Sequence, residues 1–117
     1  MTPDELFIEW GSAFATRDDN ERERRLRACC ADDVEFIPPD ERPVFRGLDA
    51  LIEHVGEFTA AWPPGTKVSL ARPAEFHHGW SRGILRFEFP DRVAQGTEIA
   101  RIDNGKIASL LVFRDPS

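Results

Sequence analysis

Apolar side chains recur at Leu6, Phe7, Trp10, Ala13 and Phe14, the spacing of an amphipathic helix. Thr2 stands at the N-cap, Pro3 takes the first helical position, and Glu5 completes a capping box. Gly11 weakens this helix by about 1 kcal/mol against alanine without ending it, and leaves room beside Trp10. A second helix is predicted from about Asn20 to Ala31, with Leu26, Cys29 and Cys30 on its inner face. Val34–Ile37 reads as a strand stopped by Pro38-Pro39-Asp40, and Val44–Arg46 as a short second strand. After Gly47 a third helix starts near Leu48. It carries the apolar stripe Leu51, Ile52, Val55, Phe58 and Trp62, and Pro63-Pro64-Gly65 ends it.

The pattern then switches to alternation. Lys67–Phe76 is one strand region, His77-His78-Gly79 a turn, and Trp80–Phe89 a strand in which Leu85, Phe87 and Phe89 alternate with Arg86 and Glu88. Pro90-Asp91 marks a turn, Gly96–Ile102 a strand, Asp103-Asn104-Gly105 a hairpin turn and Lys106–Arg114 the last strand. Helices first and hairpin-linked strands afterwards imply an antiparallel sheet with helices on one face, the α+β class. No repeat, low-complexity tract or linker divides the chain, so one domain over residues 1–117 is expected.

Composition narrows the function classes. At 117 residues, 41% apolar and 31% charged, the chain has the balance of a globular domain. A net charge of −6 argues against a surface that tracks nucleic-acid phosphates. The basic run Arg22–Arg27 contains Glu23 and reads as a solvated helix face. The longest apolar run, Ala108–Phe113, is too short to cross a bilayer. The acidic N-terminus has no secretory pattern, so no membrane association and a cytoplasmic location are expected. Cys29 and Cys30 are adjacent, which disfavours a bridge between them, and read as reduced, buried apolar fillers.

Four segments, in order, resemble the nuclear-transport-factor-2-like superfamily, nearest its SnoaL-like polyketide-cyclase and ketosteroid-isomerase branches. Cys30–Phe36 is similar to the superfamily's step from helix two into strand one, and Phe45–Leu51 to its lead into helix three. His77–Arg82 resembles a His-rich turn with an arginine found in SnoaL-like members. Gly96-Thr97-Glu98, Asp103–Ile107 and Phe113-Arg114-Asp115 resemble its closing pattern. The resemblance implies a cystatin-like cone, a curved antiparallel sheet wrapped around the N-terminal helices, with a pocket for a small apolar ligand. It also implies a homodimer formed through the convex sheet face.

Within such a pocket a wall carboxyl has a raised pKa and can move protons near neutral pH. Glu98 matches the superfamily's wall acid, where aspartate is usual. Strand alternation puts it on one face with Ala100 and Ile102; a partly exposed glutamate near a strand end is the competing reading. The isomerase branch's general base would fall at Phe36 or Pro38, and the chain has no tyrosine to supply that branch's phenol donor. Of the adjacent His77 and His78, at most one can enter the pocket. His78 is taken as the catalytic partner of Glu98 in acid–base chemistry, with a polar turn as the alternative. Trp10, Phe14, Trp62, Trp80 and Phe87 are the expected aromatic walls, and Arg82 the group that orients a polar end of the ligand. The expected activity is proton transfer by an isomerase, cyclase or dehydratase, against a non-catalytic binding or dimerisation module. His54 lies on a helix flanked by acids, and no metal site is expected. The chain has no phosphate loop, dinucleotide fingerprint or G-x-S-x-G nucleophile, so no cofactor is expected.

Overall fold

A computed structural model describes residues 1–116; Ser117, the last residue of the expected unit, lies outside them. The elements are α1 (Pro3–Ala15), α2 (Asp19–Cys29), β1 (Cys30–Ile37), β2 (Phe45–Arg46), α3 (Leu48–Phe58), β3 (Lys67–Leu70), β4 (Glu75–His77), β5 (Trp80–Glu88), β6 (Val93–Asp103) and β7 (Lys106–Arg114). The capping box closes α1 from both sides: Glu5 N donates to Thr2 Oγ1 at 3.2 Å and Thr2 N donates to Glu5 Oε1 at 2.8 Å. Asp18 caps α2, accepting from Glu21 N at 2.8 Å. That helix stops at Cys29, earlier than expected, because Cys30 is already extended and pairs with Ile107 as the first residue of β1. Both cysteines are buried and unbridged, with Sγ atoms 3.7 Å apart. The contact with Cys29, and then burial, push the Cys30 thiol well above its ordinary range, which suits an inert filler.

The strands form one curved seven-stranded sheet in the order β2-β1-β7-β6-β5-β3, with β4 also paired to β5. The α+β class holds, with one departure from an all-antiparallel sheet: β1 and β7 run parallel. Most of the chain separates them, so no tight turn dictates their direction. The expected Lys67–Phe76 strand is split. β3 pairs with Leu85–Glu88 and β4 with Trp80–Arg82, while Pro73, which cannot donate to a ladder, sits in the break. Immediately after it, Ala74 N donates to Asp4 Oδ1 of α1 at 2.7 Å and ties the helix start to this edge.

The helices cover the inner face of the sheet. Leu6, Phe7, Leu26, Leu51, Val55, Leu85 and Leu110 are among the buried residues that form the core. The basic run of α2 is only partly a solvated face. Arg22 is buried against Gly56, Arg25 is paired with Glu9 of α1, and Arg27 reaches Asp49 of α3 at 3.1 Å. These arginines hold the three helices together while their charges stay partnered. Among the described residues, no helix is long and apolar enough to cross a membrane.

Close approach of α1 to the sheet depends on two glycines. A Cβ on Gly11 would lie 2.6 Å from Val68 Cγ1, and one on Gly83 would lie 2.7 Å from Phe7 Cδ2. Phe7 is fully buried and has nowhere to retreat. Gly83→Ala is therefore expected to destabilise the fold by about 1–3 kcal/mol, read as a lower urea midpoint at constant slope. An unchanged midpoint would show that the helix–sheet spacing has slack.

Candidate active site

At the end of the sheet where β5 and β6 are joined and β7 finishes, helices and sheet diverge and leave a cavity of about 810 Å³. That is room for a ligand of two or three rings. Aromatic side chains make its walls. Trp10 and Phe14 come from α1, Phe36 from β1, Phe58 from α3, and Phe87 from β5, with Trp62 and Phe89 in the segments that follow α3 and β5. They touch one another in a chain. The Trp10 ring centroid lies 5.0 Å from Phe14 and 5.4 Å from Phe36, and Trp62 lies 5.6 Å from Phe87 and 5.0 Å from Phe89. Edge-on and tilted arrangements of this kind hold the rings in place without filling the space between them.

Glu98 opens onto this cavity from β6. Alternation places it with Gly96 and Ala100 on the inner face, and only 4% of it is exposed. Its Oε1 accepts a hydrogen bond from Trp10 Nε1 at 2.8 Å, and Trp10 is its one hydrogen-bond partner among the described residues. Its cross-strand neighbours, Gly83 and Val112, have no side-chain donor, and no cation among the described residues pairs with it. Burial drives the carboxyl pKa up to about 8, and the indole N–H, which favours the charged form, offsets this only in part. Near neutral pH the group is predominantly the neutral acid, able to donate a hydrogen bond or a proton.

A second titratable group shares the cavity. His54 projects from α3 between Phe45, whose ring is stacked on it at 4.0 Å, and Phe36 and Phe58 at 5.7 and 5.6 Å. Burial, followed by the nearby Arg42 guanidinium, holds its imidazole below the ordinary value, while Asp40 pulls the other way. At neutral pH it is an uncharged imidazole, a proton acceptor. The sequence carried a signal for this placement: His54 follows Leu51 by three positions and precedes Phe58 by four, so it falls on the apolar stripe of the helix. Phe36, Phe58 and Phe89 are further wall residues that the sequence reading left out of the site.

Three expected residues lie elsewhere. His78 occupies the exposed turn between β4 and β5, with φ of 51°, at the opposite end of the sheet from the cavity. It cannot act with Glu98. Trp80 is 47% exposed, and Arg82 is exposed and holds Glu75 through both carboxylate oxygens, at 2.7 and 2.8 Å. Strand parity explains both: Ser81, Gly83, Leu85 and Phe87 face inward on β5, so Trp80 and Arg82 must face outward. Glu98, Trp10, Phe14, Trp62 and Phe87 do come together around one space. No three His, Cys, Asp or Glu side chains converge into a metal-ligand set among the described residues.

The raised carboxyl pKa couples to stability. Between its ordinary value of 4.5 and its folded value of about 8, the folded chain binds a proton at Glu98 that the unfolded chain releases, so the Glu98 contribution to stability is lost as pH rises across that window. Glu98→Gln keeps a carbonyl for the indole and cannot ionise. Relative to the parent, this variant is expected to gain on the order of 4 kcal/mol between about pH 5 and pH 9 in urea titrations. Parallel stability curves for the two proteins would place the carboxylate in water.

No protein-family profile matches the chain, and no curated protein matches it. Solved structures do. A SnoaL-like family protein from Agrobacterium tumefaciens, described as a candidate isomerase, superposes with a TM-score of 0.82 at 21% identity, over 99% of this chain and 100% of that one. A candidate SnoaL-like polyketide cyclase from Jannaschia superposes with a TM-score of 0.70 at 10% identity, over 98% and 90%. A candidate ketosteroid isomerase from Kribbella flavida gives a TM-score of 0.69 at 14% identity, over 97% and 78%. The chain thus has the nuclear-transport-factor-2-like fold shared by SnoaL-like and ketosteroid-isomerase-like proteins, as its ordered motifs implied.

Proposed function

We propose that the cavity binds a small, largely apolar carbonyl compound and catalyses proton transfer on it without a cofactor, with Glu98 as acid and His54 as base. The observation that carries this reading is the buried Glu98 carboxyl, held by the Trp10 indole on the wall of an aromatic cavity. Two groups have their pKa values pushed in opposite directions in one site, so that an acid keeps its proton and a base lacks one at the same pH. His54 would take the proton from the carbon next to the carbonyl as the C–H bond breaks. Glu98 would donate its proton to the carbonyl oxygen, giving an enol. Where a double bond stands β,γ to the carbonyl the enol is a dienol, and return of the His54 proton to the γ-carbon, with the dienol O–H proton going back to Glu98, completes an isomerisation. Trp10, Phe14, Trp62 and Phe87 would exclude water and position the ligand.

The direct test is exchange of α-hydrogens of bicyclic ketones such as 2-tetralone with solvent deuterium, followed by NMR. The expected result is acceleration over buffer by about 10²-fold or more, lost in Glu98→Gln and in His54→Phe. The rate should fall as pH drops through the lowered His54 pKa and fall again above about 8, where Glu98 loses its proton. Binding of these ketones with no exchange above buffer would favour a non-catalytic binding protein.

The outer face of the sheet supports a homodimer as part of the same reading. Ile37, Leu111 and Ile99 lie side by side across β1, β7 and β6, and the exposed Phe113 stands over Thr97 and Ile84 in the next row. Sedimentation at micromolar concentration is expected to give a dimer that Leu111→Glu dissociates. A monomer at all concentrations would remove this face as an interface.

A further inference from the structure

The arginines of this chain are almost all neutralised. Those at 22, 24, 25, 27, 42, 46, 72, 82, 86 and 101 each form a salt bridge with a carboxylate. Among the described residues, Arg17, Arg92 and Arg114 form none, and Arg17 is instead hydrogen-bonded to the Trp62 carbonyl at 2.5 Å. The remaining pair, Arg92 and Arg114, both line the mouth of the cavity. Arg92 lies in the connection between β5 and β6, its guanidinium 4.2 Å from the centre of the Phe89 ring, and Arg114 ends β7. The acid next to Arg114, Asp115, also lines the cavity and accepts from Gln95 Nε2 at 2.8 Å and from Thr97 Oγ1 at 3.1 Å, while Asp91, next to Arg92, forms no salt bridge with it among the described residues. Arg42, also at the mouth, is satisfied by Asp40 at 2.8 Å.

A chain with net charge −6 therefore keeps, among the described residues, two guanidinium groups without a salt bridge at the mouth of an aromatic cavity. We infer that the ligand is an amphipathic organic acid, a flat ring system carrying one carboxylate, whose rings enter among Trp10, Phe14, Trp62 and Phe87 while the carboxylate stays at the mouth on Arg92 and Arg114. Guanidinium forks match a carboxylate in geometry and charge, and the Phe89 ring under Arg92 holds one of them in place. The arrangement also fixes direction. With its acid group held at the mouth, the ligand presents its far end to Glu98, whose side chain is buried and has no cation beside it. This assignment rests on the proposed binding of small ring compounds in the cavity and adds the charge that selects among them.

Isothermal titration calorimetry at pH 7 and low salt with 2-naphthoate and with its methyl ester separates the two claims. The acid is expected to bind at least about tenfold more tightly than the ester. The double variant Arg92→Gln/Arg114→Gln, both positions being exposed and outside the core, should erase that preference by bringing the affinity for the acid down to that for the ester. Raising the salt to about 0.5 M should narrow the preference in the parent protein. Equal binding of acid and ester, or a preference that survives in the double variant, overturns the assignment of the arginines while the apolar pocket stands. Binding of neither compound overturns the pocket reading together with it.

Discussion

The hydrogen bond between the Trp10 indole and the Glu98 carboxyl is the contact on which the rest of the site depends. A carboxyl placed among aromatic rings is tolerated because one oxygen has a donor and because the group can keep its proton. Both partners come from regular elements with little freedom. Trp10 is set by the register of a capped helix, and Glu98 by the alternation of a central strand paired on both sides. Closeness of helix and sheet makes the bond possible, and that closeness is conferred by Gly11 and Gly83, where any side chain would collide. Two positions without side chains thus set the depth at which the acid sits.

The same packing explains why one end of the molecule is solid and the other hollow. Toward α2 and the start of β1, the helices are pinned by Arg22, Arg25 and Arg27 and the interior is filled by Leu26, Cys29, Cys30 and Ile107. Toward the β5–β6 connection the aromatic walls meet at their edges, leaving space that carries the buried acid Glu98, one neutral imidazole and, at the outside, two guanidinium groups with no salt bridge among the described residues. The acid is buried and the two guanidinium groups are exposed, an order suited to a ligand with a charged end and a reactive end.

Much of this was legible in the sequence because it is local. The Thr2–Glu5 box and the Asp103–Lys106 hairpin are short-range signals whose elements formed where the pattern lies, whereas α3 keeps its stripe only to Phe58 and stops before the Pro63-Pro64-Gly65 expected to end it, leaving Trp62 beyond the helix. Strand parity was enough to turn Glu98 inward. What escaped depends on contacts distant along the chain: the parallel pairing of β1 with β7, and the break that divides β3 from β4 where Asp4 reaches across. Choosing residues by chemical type rather than by parity misplaced Trp80 and Arg82, since Phe87 on the same strand already fixes which side is inside. His78 drew notice for its neighbours in sequence, yet the turn carries it to the wrong end of the sheet. His54 was the histidine whose helical spacing pointed inward.

The proposed chemistry depends on the protonation state of one group. A titration of the Glu98 side-chain carboxyl followed by carbon-13 chemical shift, with assignment through Glu98→Gln, measures it directly. A midpoint near 8, well separated from the other glutamates, is the expected result. A midpoint near 4.5 would mean that the carboxylate is solvated, and neither the acid role nor the buried indole bond would survive that result.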